Sequence, residues 1–236
     1  MTPAELNANL IASAAARYRT VSRFAFHFAR GKLSRDPVFA ALLARGLLPA
    51  ARVLDLGCGQ GLLAAWLLAA QNAAQSGRWC REWAAPPKIR SIFGIELMLR
   101  DVTRARQALG KAATFLQGDI CHTPFPASDT IVIFDVLHYL NPAQQEDVLS
   151  RARAALAGGG VLLLRIGDAS GGRAFQFSNW VDRAVLFARG HGWARLHCRS
   201  VPQWLALLAR LGFRTDAMPM HVRTPFANVL LVGRVT

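Results

Sequence analysis

The stretch Val53-Leu54-Asp55-Leu56-Gly57-Cys58-Gly59-Gln60-Gly61 constrains this chain more than any other. An apolar run ends in an acid, passes through three glycines at alternate positions and enters a helical pattern: a strand, a tight turn and a helix start. Glycines there permit positive φ and let a ligand reach the main chain with no Cβ in the way. In a dinucleotide fingerprint the third glycine would fall one residue later, where Leu62 stands. A phosphate-binding P-loop would end in Gly-Lys-Ser/Thr, which is lacking here. The acid ahead of the first glycine suits a cationic ligand better than a pyrophosphate.

Further apolar segments ending in acids alternate with helical patterns. Ser91-Ile92-Phe93-Gly94-Ile95-Glu96 ends in Glu96, and a helical stretch over 98–109 follows at once. Residues 113–120 carry Asp119 and Ile120, and the strongly apolar segment from Thr130 reaches Asp135, His138 and Tyr139. Gly158-Gly159-Gly160 precedes the run Val161 to Ile166, and Asn228-Val229-Leu230-Leu231-Val232-Gly233-Arg234 reads as a final antiparallel strand. The pattern predicts helices at 3–30, 37–46, 61–72, 98–109, 142–157, 178–188 and 201–211. It predicts strands at 51–56, 90–95, 113–117, 130–135, 160–166, 213–218 and 227–235. Such alternation implies a mostly parallel sheet with helices on both faces, with ligands at the carboxyl ends of the strands. Asp55, Glu96, Asp119 and Asp135 are all expected at that edge, converging on one crevice.

In order and spacing these segments resemble the class I S-adenosylmethionine (SAM)-dependent methyltransferases, over residues 49–236. The resemblance implies an α/β, Rossmann-like class I methyltransferase fold: a seven-stranded, mostly parallel sheet with helices on both faces and an N-terminal helical cap. Residues 1–48 would form the cap and 49–236 the SAM-binding domain. The cofactor is then SAM and the product S-adenosyl-L-homocysteine (SAH). The sulfonium is already a good leaving group, so the protein's part is to align donor and acceptor and exclude water. By resemblance, Asp55 lies near the donor's amino-acid part, where Gly57, Cys58, Gly59 and Gly61 let the backbone approach. Glu96 takes the ribose hydroxyls, with Leu97 after it a further cofactor-binding residue, Asp119 and Ile120 frame the adenine, and Asp135 touches the donor.

His138 follows the fourth strand, where the methyl should lie, and a histidine titrating near neutrality is a natural base for a hydroxyl. Asp168, in the glycine-rich stretch 167–172, is a second acceptor-side candidate. Structural roles stand beside these: a helix N-terminal acid for Asp55, packing for His138 and Tyr139, and an ordinary loop acid for Asp168. Tyr18, His27 and Lys32 of the cap are candidate pocket residues. So are Trp180, Phe187, Trp193 and Trp204, whose alternative is packing against the sheet.

Glu96 lies further from the glycine turn than the ~20 residues usual in such units. The excess, 71–88, reads as an inserted loop, either a surface elaboration or, through Trp79 and Trp83, a docking surface. Four scattered cysteines with no C-x-x-C suit a reducing cytosol and argue against a zinc site. No charge-free apolar run reaches the ~18 residues of a membrane span, and the first residues lack a basic secretory signature. A cytoplasmic location follows, with peripheral attachment at the inner membrane face as its variant.

The net charge of +14 calls for an anionic partner or serves solubility. Basic and aromatic residues concentrate at 17–32, a segment that packs as a cap or docks an acidic carrier protein or an anionic membrane. The Pro-Pro-aromatic motif of base-amine methylases is lacking after strand four, and no cysteine sits in the Pro-Cys or Thr-Cys contexts of RNA cytosine enzymes. Nucleic acid is therefore the weaker partner despite the charge. The favoured acceptor is a hydroxyl, ahead of a carbon or nitrogen, on an apolar small molecule or on a carrier-tethered acyl or aryl chain. The alternatives are an RNA-directed methyltransferase and a non-catalytic SAM-binding protein. The phenylalanine-rich basic start also resembles methyltransferases associated with bacterial fatty-acid-like or aryl-polyene biosynthesis.

Overall fold

The computed structural model describes residues 1–48, 50–168, 196–220 and 228–235. The chain divides into two compact units, Met1–Thr130 and Ile131–Thr236. In the first, three helices precede the first strand: α1 (Pro3–Ala16), α2 (Arg23–Arg35) and α3 (Pro37–Ala44). The single helix expected over 3–30 is thus two. Ser22 makes the break: its backbone is extended and its hydroxyl accepts from the Ala25 N–H at 3.0 Å, a cap that starts a new helix. Asp36 repeats the device, accepting from the Val38 N–H at 3.1 Å, while Pro37 prevents α2 from continuing.

Strand and helix then alternate: β1 (Ala50–Leu56), α4 (Leu62–Gln75), β2 (Lys88–Glu96), α5 (Leu99–Leu109) and β3 (Thr114–Gln117). β4 (Ser128–Phe134) follows, then α6 (Pro142–Ala155), β5 (Leu156–Gly167), α7 (Val201–Arg210), β6 (Phe213–Pro219) and β7 (Asn228–Val235). The seven strands form one mixed sheet in the order β3-β2-β1-β4-β5-β7-β6. β1, β2 and β3 are parallel, and β7 runs antiparallel to both β5 and β6. Leu54, Ile131, Val132, Ile133, Leu162, Leu163 and Leu164 are buried, the continuous apolar runs of strands covered on both faces. The helix expected at 178–188, with Trp180, Phe187 and Trp193, lies outside the described residues.

Helix α4 is apolar nearly all round because α1 packs against it as well as the sheet. Trp66 shows why the cap stays in place. It is fully buried, donates its indole N–H to the Phe39 carbonyl at 2.9 Å and meets the Phe39 ring edge-on. Burial of a large apolar side chain of this kind contributes about 1.5–3 kcal/mol. The insertion after α4 is a brace. Cys80 is buried, Trp79 donates to the Ala84 carbonyl at 2.9 Å, and the Ala84 N–H donates to Ala44 at the end of α3 at 3.1 Å. Trp79 and Trp83 meet edge-on at 6.0 Å and are half-buried.

Candidate active site

The glycine turn leaves β1 with positive φ at Gly57, Gly59 and Gly61. Gly59 and Gly61 serve different ends. A Cβ at Gly59 would meet nothing within 4 Å, so the main chain there is open to a ligand. A Cβ at Gly61 would lie 2.9 Å from Phe115 Cζ, so this glycine lets α4 start tight against β3. Gly94 is a requirement the sequence pattern did not announce: a Cβ there would sit 2.6 Å from Cys58 Sγ and 2.7 Å from Phe115 Cδ1.

Glu96 closes β2 and is clamped from two sides. Its Oε2 accepts from the Gly59 N–H and its Oε1 from the Met98 N–H, both at 2.9 Å. Asp55, near the carboxyl end of β1, is only 6% exposed. Burial, and after it the Glu96 charge, push its carboxyl up to about 7. Burial first, and then Asp55, hold the Cys58 thiol well above its ordinary range, so Cys58 is a neutral packing group. From α1's end Tyr18 reaches the same turn: its buried hydroxyl donates to the Gln60 carbonyl at 2.8 Å. The Gln60 Oε1 is buried with no hydrogen-bond partner among the described residues. Asp119 turns the chain after β3, accepting from the Cys121 N–H at 2.8 Å, with Ile120 buried beside it and Leu97 54% exposed. Of the other cap candidates, His27 is exposed on α2 and Lys32 is paired with Asp36 at 2.9 Å.

In the second unit, Asp135 follows β4 with φ 57, the one non-glycine among the described residues in the left-handed region. Such an outlier points to a functional position. Its carboxylate is gripped bidentately by Arg165 of β5: Nε meets Oδ1 at 2.9 Å and Nη2 meets Oδ2. Arg165 is 3% exposed and lies over the Phe134 ring at 5.2 Å. Asp135, expected against the donor, is thus committed first to an arginine.

His138 sits on a short 3-10 turn, Leu137–Tyr139, its ring edge-on to Tyr139 at 4.1 Å. The fully buried Gln145 of α6 holds that turn. Its Nε2 donates to the carbonyls of Leu137 (3.0 Å), Leu140 (3.0 Å) and His197 (2.7 Å), and its Oε1 accepts from Arg199 at 2.8 Å. A shallow recess is lined by Leu137, His138, Arg165, Ile166, Gly167, Cys198 and Trp204. Asp168 accepts from the Val201 N–H at 3.4 Å, at the start of α7.

Sequence reasoning passed over Arg165, Gln145 and Gln60. Arg165 had a signal: a lone charge in a strand otherwise Val161 to Ile166 apolar must be paired when buried. Gln145 had none, because a glutamine in a polar helix reads as solvent-facing.

Residues 53–160 match the methyltransferase domain family. Those residues carry the signature of a methyltransferase domain, and the fold around them is that of class I SAM-dependent methyltransferases. SAM is the cofactor of that family. Over 119 residues the chain is 34% identical to a carboxy-S-adenosyl-L-methionine synthase from Chromohalobacter salexigens. That match spans 48% of this chain and 39% of the curated relative's length. The fold is shared with magnesium protoporphyrin IX methyltransferase from Synechocystis with bound SAH, at TM-score 0.59 and 19% identity over 94% of each chain. It is also shared with an O-methyltransferase family protein from Burkholderia thailandensis, at TM-score 0.62 and 17% identity, covering 92% of this chain and 60% of that one.

The first unit's residues fit SAM. Buried Asp55 carries a desolvation cost that a cationic ligand would relieve, the Gln60 Oε1 lacks a donor, and the space beside Gly59 is open. The methyltransferase domain would hold SAM through these groups, with Glu96 for the ribose and Asp119 and Ile120 for the adenine.

Proposed function

We propose that the chain methylates a hydroxyl oxygen on an apolar small molecule or on a carrier-tethered acyl or aryl chain. The observation that carries this reading is the recess of the second unit, where a half-buried histidine is set among Leu137, Ile166 and Trp204. A histidine beside Leu137, Ile166 and Trp204, with the ion-paired Arg165 at the same recess, suits an acceptor that has a single proton to lose. Bound SAM would supply an electrophilic methyl on a sulfonium that is already a good leaving group. His138 takes the hydroxyl proton. Gln145, through the carbonyls of Leu137 and Leu140, keeps the histidine's turn in place, and the Asp135–Arg165 pair stiffens the end of β4.

A second reading comes from the carboxy-S-adenosyl-L-methionine synthase likeness: the donor itself is the substrate, modified with no separate acceptor. Mass spectrometry of reactions with SAM, with and without phenols and hydroxylated acyl chains, separates the two. SAH formed only with a hydroxyl acceptor supports O-methylation. A carboxylated donor formed when bicarbonate or a carboxylic-acid carboxyl source replaces the hydroxyl acceptor supports the second reading, and methylated RNA overturns both. His138→Ala should lower kcat about 100-fold or more with SAM affinity unchanged. Undiminished turnover would remove His138 as the base.

A further inference from the structure

The phenylalanines of α2 face the wrong way for a cap helix. Its inward face is Ala25, Ala29 and Leu33, all buried. Phe24 and Phe28, one helical turn apart, stand in solvent at 62% and 40% exposure, ring stacked on ring at 6.1 Å and 16°. The Arg104 guanidinium of α5 lies over Phe24 at 5.5 Å. Arg23, Arg30 and Arg35 of α2 are exposed and form no ion pair among the described residues. Residues 23–35 contain no acid, and the nearest, Asp36, is paired with Lys32.

We propose that this outer face of α2 docks on an anionic lipid bilayer. Two adjacent rings at a helix crest are the apolar wedge that enters the headgroup–acyl boundary, and flanking guanidiniums then lie at the level of the lipid phosphates. The surface is a ridge rather than a groove. A ridge needs a deformable partner, and a fluid interface supplies one, whereas an acidic protein would need a complementary cleft. Charge complementarity agrees: the chain carries +14 overall, and the exposed charged side chains of α2 itself, Arg23, Arg30 and Arg35, are all cationic. The inference stands apart from the acceptor proposed above, because it rests on α2 and its neighbour α5 only.

The test is cosedimentation of the full chain with vesicles of phosphatidylcholine and phosphatidylglycerol, at low and high salt, beside vesicles of phosphatidylcholine alone. Binding is expected only to the anionic vesicles and should weaken steeply as salt shortens the Debye length from ~10 Å to ~3 Å. The double variant Phe24→Ser, Phe28→Ser should bind about tenfold or more weakly at low salt. Arg23→Glu with Arg30→Glu should abolish binding, at roughly fivefold or more for each arginine removed. All four side chains are exposed, so thermal melts should match the wild type. Three results would each overturn the proposal: no sedimentation with anionic vesicles at low salt, equal binding by the serine variant, or capture of an acidic protein or RNA while vesicles leave the protein in solution.

Discussion

Replacing Asp55 by asparagine should stabilise the ligand-free protein while destroying its cofactor binding. Asp55 is 6% exposed, and burial followed by the Glu96 charge raises its carboxyl from 3.8 to about 7. In the unfolded chain it titrates near its ordinary value. Between the two, the folded protein holds a proton that the unfolded chain has released. The stability linked to this proton is complete below pH ~4, is lost as pH rises, and is gone above pH ~7. At ~1.4 kcal/mol per pH unit the whole gap is about 4 kcal/mol. Asparagine carries no charge and escapes this loss. Urea unfolding should therefore show no difference between variant and wild type near pH 4, a growing advantage for the variant through pH 5 and 6, and up to about 4 kcal/mol at pH 8, or ~10 °C in Tm. Calorimetric titration should show SAM binding lost in the variant. Saturating SAM should restore ~3 kcal/mol to the wild type alone at 100 times Kd. A variant less stable than wild type at pH 8, or a difference that does not change with pH, would refute the burial argument.

Glu96→Ala strands the N–H groups of Gly59 and Met98 that its carboxylate accepts. It should cost about 1–3 kcal/mol in a thermal melt and weaken SAM at least ~10-fold by titration. Gln145→Leu keeps the volume but leaves the carbonyls of Leu137, Leu140 and His197 without their shared donor. It should destabilise by ~2–4 kcal/mol and lower kcat, with SAM affinity in the first unit unchanged. An unchanged kcat in a folded Gln145→Leu protein would show that the His138 turn does not depend on α6.

Element type was legible in the sequence wherever period and punctuation agreed. All seven strands formed, most of them β-branched or leucine-rich runs bounded by turn residues or acids. The break within the first helical stretch was not legible, for a physical reason. Val21, Phe24 and Phe28 fit one helical stripe, but Ser22 starts a new helix after Val21, and close packing of α2 on α1 needs alanines inside, which turns the phenylalanines out. Competition between a serine cap and helix continuation is a local contest, and burial settles it. The insertion's role was also hidden, since its hold on Ala44 joins residues 40 apart in the chain.

What the sequence determined by itself was chemistry tied to backbone geometry. Only glycine takes positive φ cheaply beside an open ligand space, so the turn after β1 and the acids at the ends of β1 and β2 could be read from one chain. What only the tertiary structure decided was environment. Burial beside Glu96 turns Asp55 from an ordinary acid into one that titrates near 7. Arg165 claims the Asp135 carboxylate, and Gln145 pins the His138 turn through three carbonyls. Those properties depend on solvent exclusion and on partners brought from distant positions, and neither is encoded in local sequence period.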